Sequence, residues 1–152
     1  LLNGENVNSY LRTEEVGNMA SVSSAVPRVR EKLLSLQRKL AGDMSVVMDG
    51  RDIGTTILPG ADVKIYLTAS SLTRAKRRYL ELQEKGTVCN LDEIQKDIEE
   101  RDQRDMNREI SPLRQAEDAV LVDSSDLTIQ QVVDRILQIF RSKTAGEKSH
   151  ES

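Results

Sequence analysis

Two clusters of charged residues in this chain have the types and spacing to handle an anion. The first is Asp49-Gly50-Arg51-Asp52-Ile53-Gly54-Thr55, directly after the apolar run Ser45-Val46-Val47-Met48. Two carboxylates, an arginine and two glycines would then stand at the carboxyl end of a strand, where open α/β sheets bind ligands. The glycines let backbone approach a ligand closely. The plainer alternative is a polar turn with a local Asp–Arg pair. The second cluster is Arg101, Arg104, Asp105 and Arg108. At about 100° per residue, Arg101, Asp105 and Arg108 share one helix face. That face continues the stripe of Ile94 and Ile98, so its charges need partners, because burying an unpaired charge is costly. An anionic ligand across a cleft would supply them; an exposed helix laced with i,i+4 pairs is the alternative.

A third set, Arg74, Arg77 and Arg78, lies opposite the apolar stripe of its helix, where arginines are ordinarily just solvated. Pro27-Arg28-Val29-Arg30-Glu31 is, alone, only a charged helix start. Arginine recurs in every set. Guanidinium groups bind phosphate oxygens bidentately and keep their charge. Phosphoryl transfer depends mostly on positioning and charge neutralisation, and a mobile lid brings arginines in while expelling water. Hydrolytic chemistry has little support. The single histidine, His150, sits in the tail, and Cys89 has no histidine partner. No Cys/His spacing suits a metal, so no residue is assigned to direct metal ligation.

The elements that must position these residues are read from periodicity. Asn3-Gly4 is a hairpin-type turn signal. Thr13 caps a helix to about Ser24, and Pro27 opens another whose Val29, Leu33, Leu36 and Leu40 fall at helical spacing before Gly42-Asp43. Ser45–Met48 reads as a buried parallel strand, and Asp62–Leu67 as a second. Helices follow from Leu72 to Gly86 and from Asp92 to Arg108. Ala119–Val122 is the third strand, and Asp126–Phe140 the closing helix. The tail from Ser142 reads as disordered. Alternating strands and helices give an α/β class with a parallel sheet, though three strands are few.

The chain has 152 residues, enough for one domain. Its formal net charge of -3 argues against nucleic acid or an anionic membrane as partner. The same charge, with four aromatics, disfavours an RNA-binding helical protein. No apolar run reaches the roughly 18 residues of a membrane span, and no secretory leader opens the sequence. One cysteine permits no intrachain disulfide, and the expected compartment is the cytoplasm. The sequence opens on Leu1 and reads as part of a longer frame.

In order and spacing, Pro27-Arg28-Val29-Arg30, Met48 through Thr55, Val63-Lys64-Ile65-Tyr66-Leu67, Leu82-Gln83-Glu84-Lys85-Gly86 and Glu100 through Arg108 resemble bacterial cytidylate kinase, of the nucleoside-monophosphate kinase group. The likeness runs from about Gly4 to Arg141. It implies a P-loop kinase-like, three-layer α/β/α fold with a parallel sheet, a helical lid at about 72–108 and part of a CMP-binding subdomain at 1–25. The core would span 26–141 and the disordered tail 142–152. It also implies roles. Ser21, Arg30 and Asp52 match positions that read the cytosine ring. Asp105 with Arg101 matches the grip on the ribose hydroxyls, and Arg51 and Arg108 match contacts to the CMP phosphate and the transferring group. Arg74, Arg77 and Arg78 match lid arginines near the ATP phosphates, and Asp49 the strand-end aspartate near magnesium. Expected partners are CMP or dCMP and ATP with Mg2+. The intact protein is expected to be monomeric, whereas a fragment could dimerise or pair strands.

One departure stands out. The family's Gly-x-x-x-x-Gly-Lys-Ser/Thr-like loop holds ATP phosphates through backbone N–H groups and its lysine. None of the eight glycines here fits that pattern, and Gly54 is followed by Thr55 without the lysine. The implied first strand, central in the sheet, and its loop are therefore missing. The expectation is a truncated sheet and no CMP phosphorylation by this chain alone. Two readings stay open: part of a phosphotransferase, or a non-catalytic CMP-binding module.

Overall fold

The computed structural model describes residues 3–11, 13–24 and 26–147. They divide into two compact units, the first ending at Val47 and the second beginning at Met48.

The first unit holds α1 (Glu14–Ser24) and α2 (Pro27–Asp43). Thr13 Oγ1 accepts from the amide of Val16 at 3.3 Å, the cap its residue type favours. Pro27 begins α2, where its missing N–H is no loss. Asn3 and Gly4 both take positive φ, 49° and 90°, as a type I′ turn requires. The apolar residues expected to flank that turn on one side, Leu1 and Leu2, lie outside the described residues. On α2 the stripe of Val29, Leu33, Leu36 and Leu40 remains 37–50% exposed.

The second unit carries a π-type turn (Ile53–Ile57), β1 (Ile65–Thr68), α3 (Ser71–Glu84), α4 (Leu91–Asn107), β2 (Val120–Asp123) and α5 (Ile129–Glu147). β1 and β2 pair in parallel, with Ile65 opposite Val120 and Thr68 opposite Asp123. The ladder extends at both ends through Val120 N to Lys64 O (2.9 Å) and Ser124 N to Thr68 O (2.8 Å). Buried apolar residues are few: Ile57, Ala69, Ala75, Val122 and Ile139.

Local chemistry sets the helix ends. The Ser70 hydroxyl accepts from Thr73 N at the start of α3. At its end Gly86, at φ 72°, donates to Gln83 O while Thr87 N reaches Leu82 O. That paired closure needs a left-handed residue, which glycine tolerates without strain. The Asn90 carboxamide caps α4 by accepting from Asp92 N and Glu93 N. Thr128 and Gln131 form a reciprocal capping box at α5. α3 packs against α4 and is tied to it by the Arg74–Asp102 ion pair.

Two expectations are corrected. Ser45–Met48 is not a strand: Val47 is fully exposed, and among the described residues no backbone hydrogen bond joins this stretch to another. The run has strand-like residues, but an extended chain becomes a strand only where a neighbour satisfies its backbone. The sheet accordingly has two strands, not three. The closing helix runs beyond Phe140, with α5 continuing to Glu147. His150 lies outside the described residues.

Amide exchange checks this sheet. The Val120 and Ser124 amides should exchange roughly two decades more slowly than those of Val46 and Val47; comparable protection would contradict the two-stranded arrangement. A second expectation concerns acid. Hydrogen bonds from Lys85 and then Arg78 lower the Glu81 carboxyl from 4.5 to about 2. A depressed folded-state value means a contribution fully present above 4.5 and lost as pH falls towards about 2. The stability difference between wild type and Glu81→Gln, followed by urea unfolding, should therefore shrink across that window.

Candidate functional site

The two clusters singled out from the sequence meet inside the second unit. Arg51 and Asp52 come from the segment leading into the π-type turn, and Asp105 and Arg108 from the last turn of α4 and its cap. Gly50 allows this local path: a Cβ there would lie 2.8 Å from Ile53 Cγ1, an impossible approach. Beyond it, Thr56 N (2.9 Å) and Ile57 N (3.2 Å) both donate to the Asp52 carbonyl. That double anchor fixes the backbone at Asp52, whose residue is 8% exposed.

Asp105 is buried at 7% exposure. Arg51 Nε stands 2.8 Å from its Oδ2. Oδ2 has no hydrogen-bond partner and is paired by charge. Arg108 Nη1 lies 3.9 Å from Asp105 Oδ1, and its Nη2 lies 4.0 Å from Asp52 Oδ2. Arg108 Nη2 is buried without a hydrogen-bond partner. Such a donor is costly to leave unmade. Arg108 is aimed by its own turn: its Nε donates to Ser111 O at 2.5 Å, and Leu113 N donates to Asp105 O at 2.8 Å. Sequence reasoning missed this Ser111–Leu113 brace. Pro112, close behind a helix end, was the available signal.

Arg101 lies on the same face. Burial and then the like charge of Arg51 push its guanidinium below the ordinary value. Three guanidinium groups, on Arg51, Arg101 and Arg108, thus share a neighbourhood with two carboxylates. The site carries a cationic surplus and an unfilled donor, which suits an oxyanion.

The other residues named from the sequence are placed as follows. Asp49 is exposed just before the cluster, and Arg104 is exposed on α4. Arg30 is half-buried in α2 of the first unit, with Nη1 3.3 Å from Ser24 O. Ser21 belongs to α1, and its side chain lies outside the described residues. The three arginines of α3 are engaged by protein. Arg74 pairs with Asp102 through both terminal nitrogens and donates to Ala69 O. Arg77 donates to Ser124 Oγ (3.1 Å) and Ser124 O (2.5 Å). Arg78 pairs with Glu81 at 2.9 Å. Among the described residues there is no group of three or more His, Cys, Asp or Glu side chains that could hold a metal ion.

Fold and site together define a mixed α/β protein whose small parallel sheet accompanies a guanidinium–carboxylate cluster. Over residues 1–142 the chain matches the cytidylate kinase family model. It is 51% identical over 142 residues to the cytidylate kinase of Lactobacillus johnsonii, covering 93% of this chain and 62% of that protein. It is 51% identical to that of an Enterobacter species (95% and 64%) and 50% identical to that of Vibrio cholerae (94% and 64%). The chain belongs to the cytidylate kinase family. It spans under two thirds of the length of these relatives.

Asp105 is the member whose removal should be felt most. Asp105→Ala leaves Arg51 and Arg108 without their shared carboxylate and should lower the unfolding free energy by about 3–5 kcal/mol. Arg104→Ala, exposed on the same helix, should change it by less than about 0.5 kcal/mol. Urea denaturation distinguishes them, and equal effects would show that the cluster does not stabilise the fold.

Proposed function

We propose that this chain supplies the CMP-binding face and the helical lid of a cytidylate kinase, which in the intact protein moves the terminal phosphoryl group of ATP to CMP or dCMP. The observation that supports it best is the buried Arg108 Nη2, which lacks a hydrogen-bond partner beside Asp52, in a cluster with surplus positive charge. A phosphate would satisfy that donor and balance Arg51 and Arg108. Asp52 reads the cytosine amino group; Ser21 and Arg30 are proposed cytosine-reading residues by the family resemblance alone, and residues 1–25 form part of the CMP-binding subdomain. Asp105 and Arg101 hold the ribose hydroxyls.

ATP with Mg2+ is the proposed donor, with Asp49 near the metal's shell. Arg74, Arg77 and Arg78 are the donor-side arginines of a lid at about 72–108. To reach ATP phosphates their guanidinium groups must exchange Asp102, Ser124 and Glu81 for phosphate oxygens. Because no glycine in the sequence belongs to a Gly-x-x-x-x-Gly-Lys loop, we propose that the 152-residue chain binds CMP without phosphorylating it.

The test uses the chain itself. Titration calorimetry should give tighter binding of CMP than of UMP, because uracil presents a carbonyl oxygen to Asp52 where cytosine presents an amino group. Asp52→Ala should erase most of that preference, losing about 1.5–3 kcal/mol on CMP alone. Asp105→Ala should weaken CMP and UMP together. ADP formation from ATP, Mg2+ and CMP should stay far below the roughly 1–100 s⁻¹ of working kinases. Turnover in that range, or an unchanged CMP/UMP ratio in Asp52→Ala, would overturn the corresponding assignment.

A further inference from the structure

Lys64 is a buried charged residue, 9% exposed, that no role above employs. Its ammonium donates to the Pro59 carbonyl and, at 2.9 Å, to Asp118 Oδ1, with Oδ2 of the same carboxylate 2.7 Å away. Its aliphatic stem runs along Gly54, where an added Cβ would sit 3.4 Å from Lys64 Cδ and 3.6 Å from Cγ. One side chain thus bonds the segment after Asp52 at Pro59 and passes close beside it at Gly54. Between those contacts the turn hangs on the Asp52 and Ile53 carbonyls, through Thr56 N, Ile57 N and Leu58 N (2.7 Å). A displacement of this turn therefore carries the Asp52 backbone with it. Lys64 is itself fastened to the sheet, since its carbonyl accepts from Val120 N. Asp118 precedes β2 on a turn closed by Ala119 N to Ala116 O, at 3.0 Å.

We propose that Lys64, held by Asp118, is a positioning residue for the candidate site: a strut from the sheet to the turn that sets where Asp52 and Arg51 stand. A stem of four methylenes and a terminal donor are both needed. An apolar side chain of similar length would fill the space beside Gly54 but leave Pro59 O without this donor and Asp118 without its cation. The Asp118 carboxyl is held below the usual carboxylate range, first by its hydrogen bond from Lys64, so it is a carboxylate at neutral pH. The strut stands on geometry alone; only its effect on nucleotide choice rests on the functional reading above.

The experiment compares Lys64→Met, Asp118→Asn and Lys64→Arg with the parent chain, first without nucleotide. Amide exchange at Thr56, Ile57 and Leu58 should speed up about tenfold or more in Lys64→Met. Ser124 and Val132, whose amides bond Thr68 O and Thr128 O, should stay within about twofold. Lys64→Arg, which keeps charge and reach, should recover most of the protection. A uniform loss at all five amides would mean a general stability role, and no loss would mean no strut; either overturns the proposal. Should Lys64→Met fail to fold, Asp118→Asn carries the same comparison, because the Asp118 side chain is 58% exposed. In the second arm, Lys64→Met should reduce the CMP/UMP affinity ratio about threefold or more. A parent chain with no CMP preference would sink the functional reading while exchange still decides the strut. A parent that discriminates and a Lys64→Met variant that keeps the full ratio would show that the strut does not act on the site.

Discussion

Asp105 is a carboxylate that this fold cannot bury alone. Removing a charge from water is repaid only by close opposite charge and hydrogen bonds. Arg51, from a segment more than fifty positions earlier in the chain, comes within 2.8 Å, and Arg108 approaches from one helical turn onward. The requirement couples the end of α4 to the segment before the π-type turn. It also explains why a charged residue, Asp105, is buried on the α4 face that carries Ile94 and Ile98. The pairing remains incomplete: Asp105 Oδ2 and Arg108 Nη2 lack hydrogen bonds. The cluster is paired by charge but unsaturated in hydrogen bonds, so it still has a donor to offer.

Arginine does a second kind of work in α3. Arg74 binds Asp102 across the helical hairpin, and Arg77 holds the turn after β2 through Ser124. These contacts join elements distant in sequence, and planar guanidinium geometry suits them better than a lysine would.

Apolar burial is thin beside this polar framework. Val47 is fully exposed, Ile129 is 86% exposed, and Leu67 and Leu121 on the two strands are each 54% exposed. A two-stranded sheet is marginal by itself, and here it gains from β2–α5 packing and from the ladder extensions at Lys64 and Ser124. No described helix is long and apolar enough to cross a membrane.

Much of the local architecture was written in the sequence. Thr13, Pro27, Gly86 and the 3.6-residue stripes mark helix ends and faces through interactions spanning only a few residues, which any reading of neighbours can recover. The two charged clusters were equally legible as types and spacings. Their convergence was not, because Arg51 and Asp105 meet only once the chain has folded back. Ser45–Met48 shows the reverse failure: its residues favour a strand, but a strand is decided by the backbone lying opposite, and among the described residues none does. Arg74 and Arg77 read as solvated or ligand-facing until Asp102 and Ser124 were seen beside them. Lys64, one charge between apolar neighbours, gave no hint of its role, since a buried cation is explained only by the carboxylate and carbonyl that surround it, here Asp118 and Pro59.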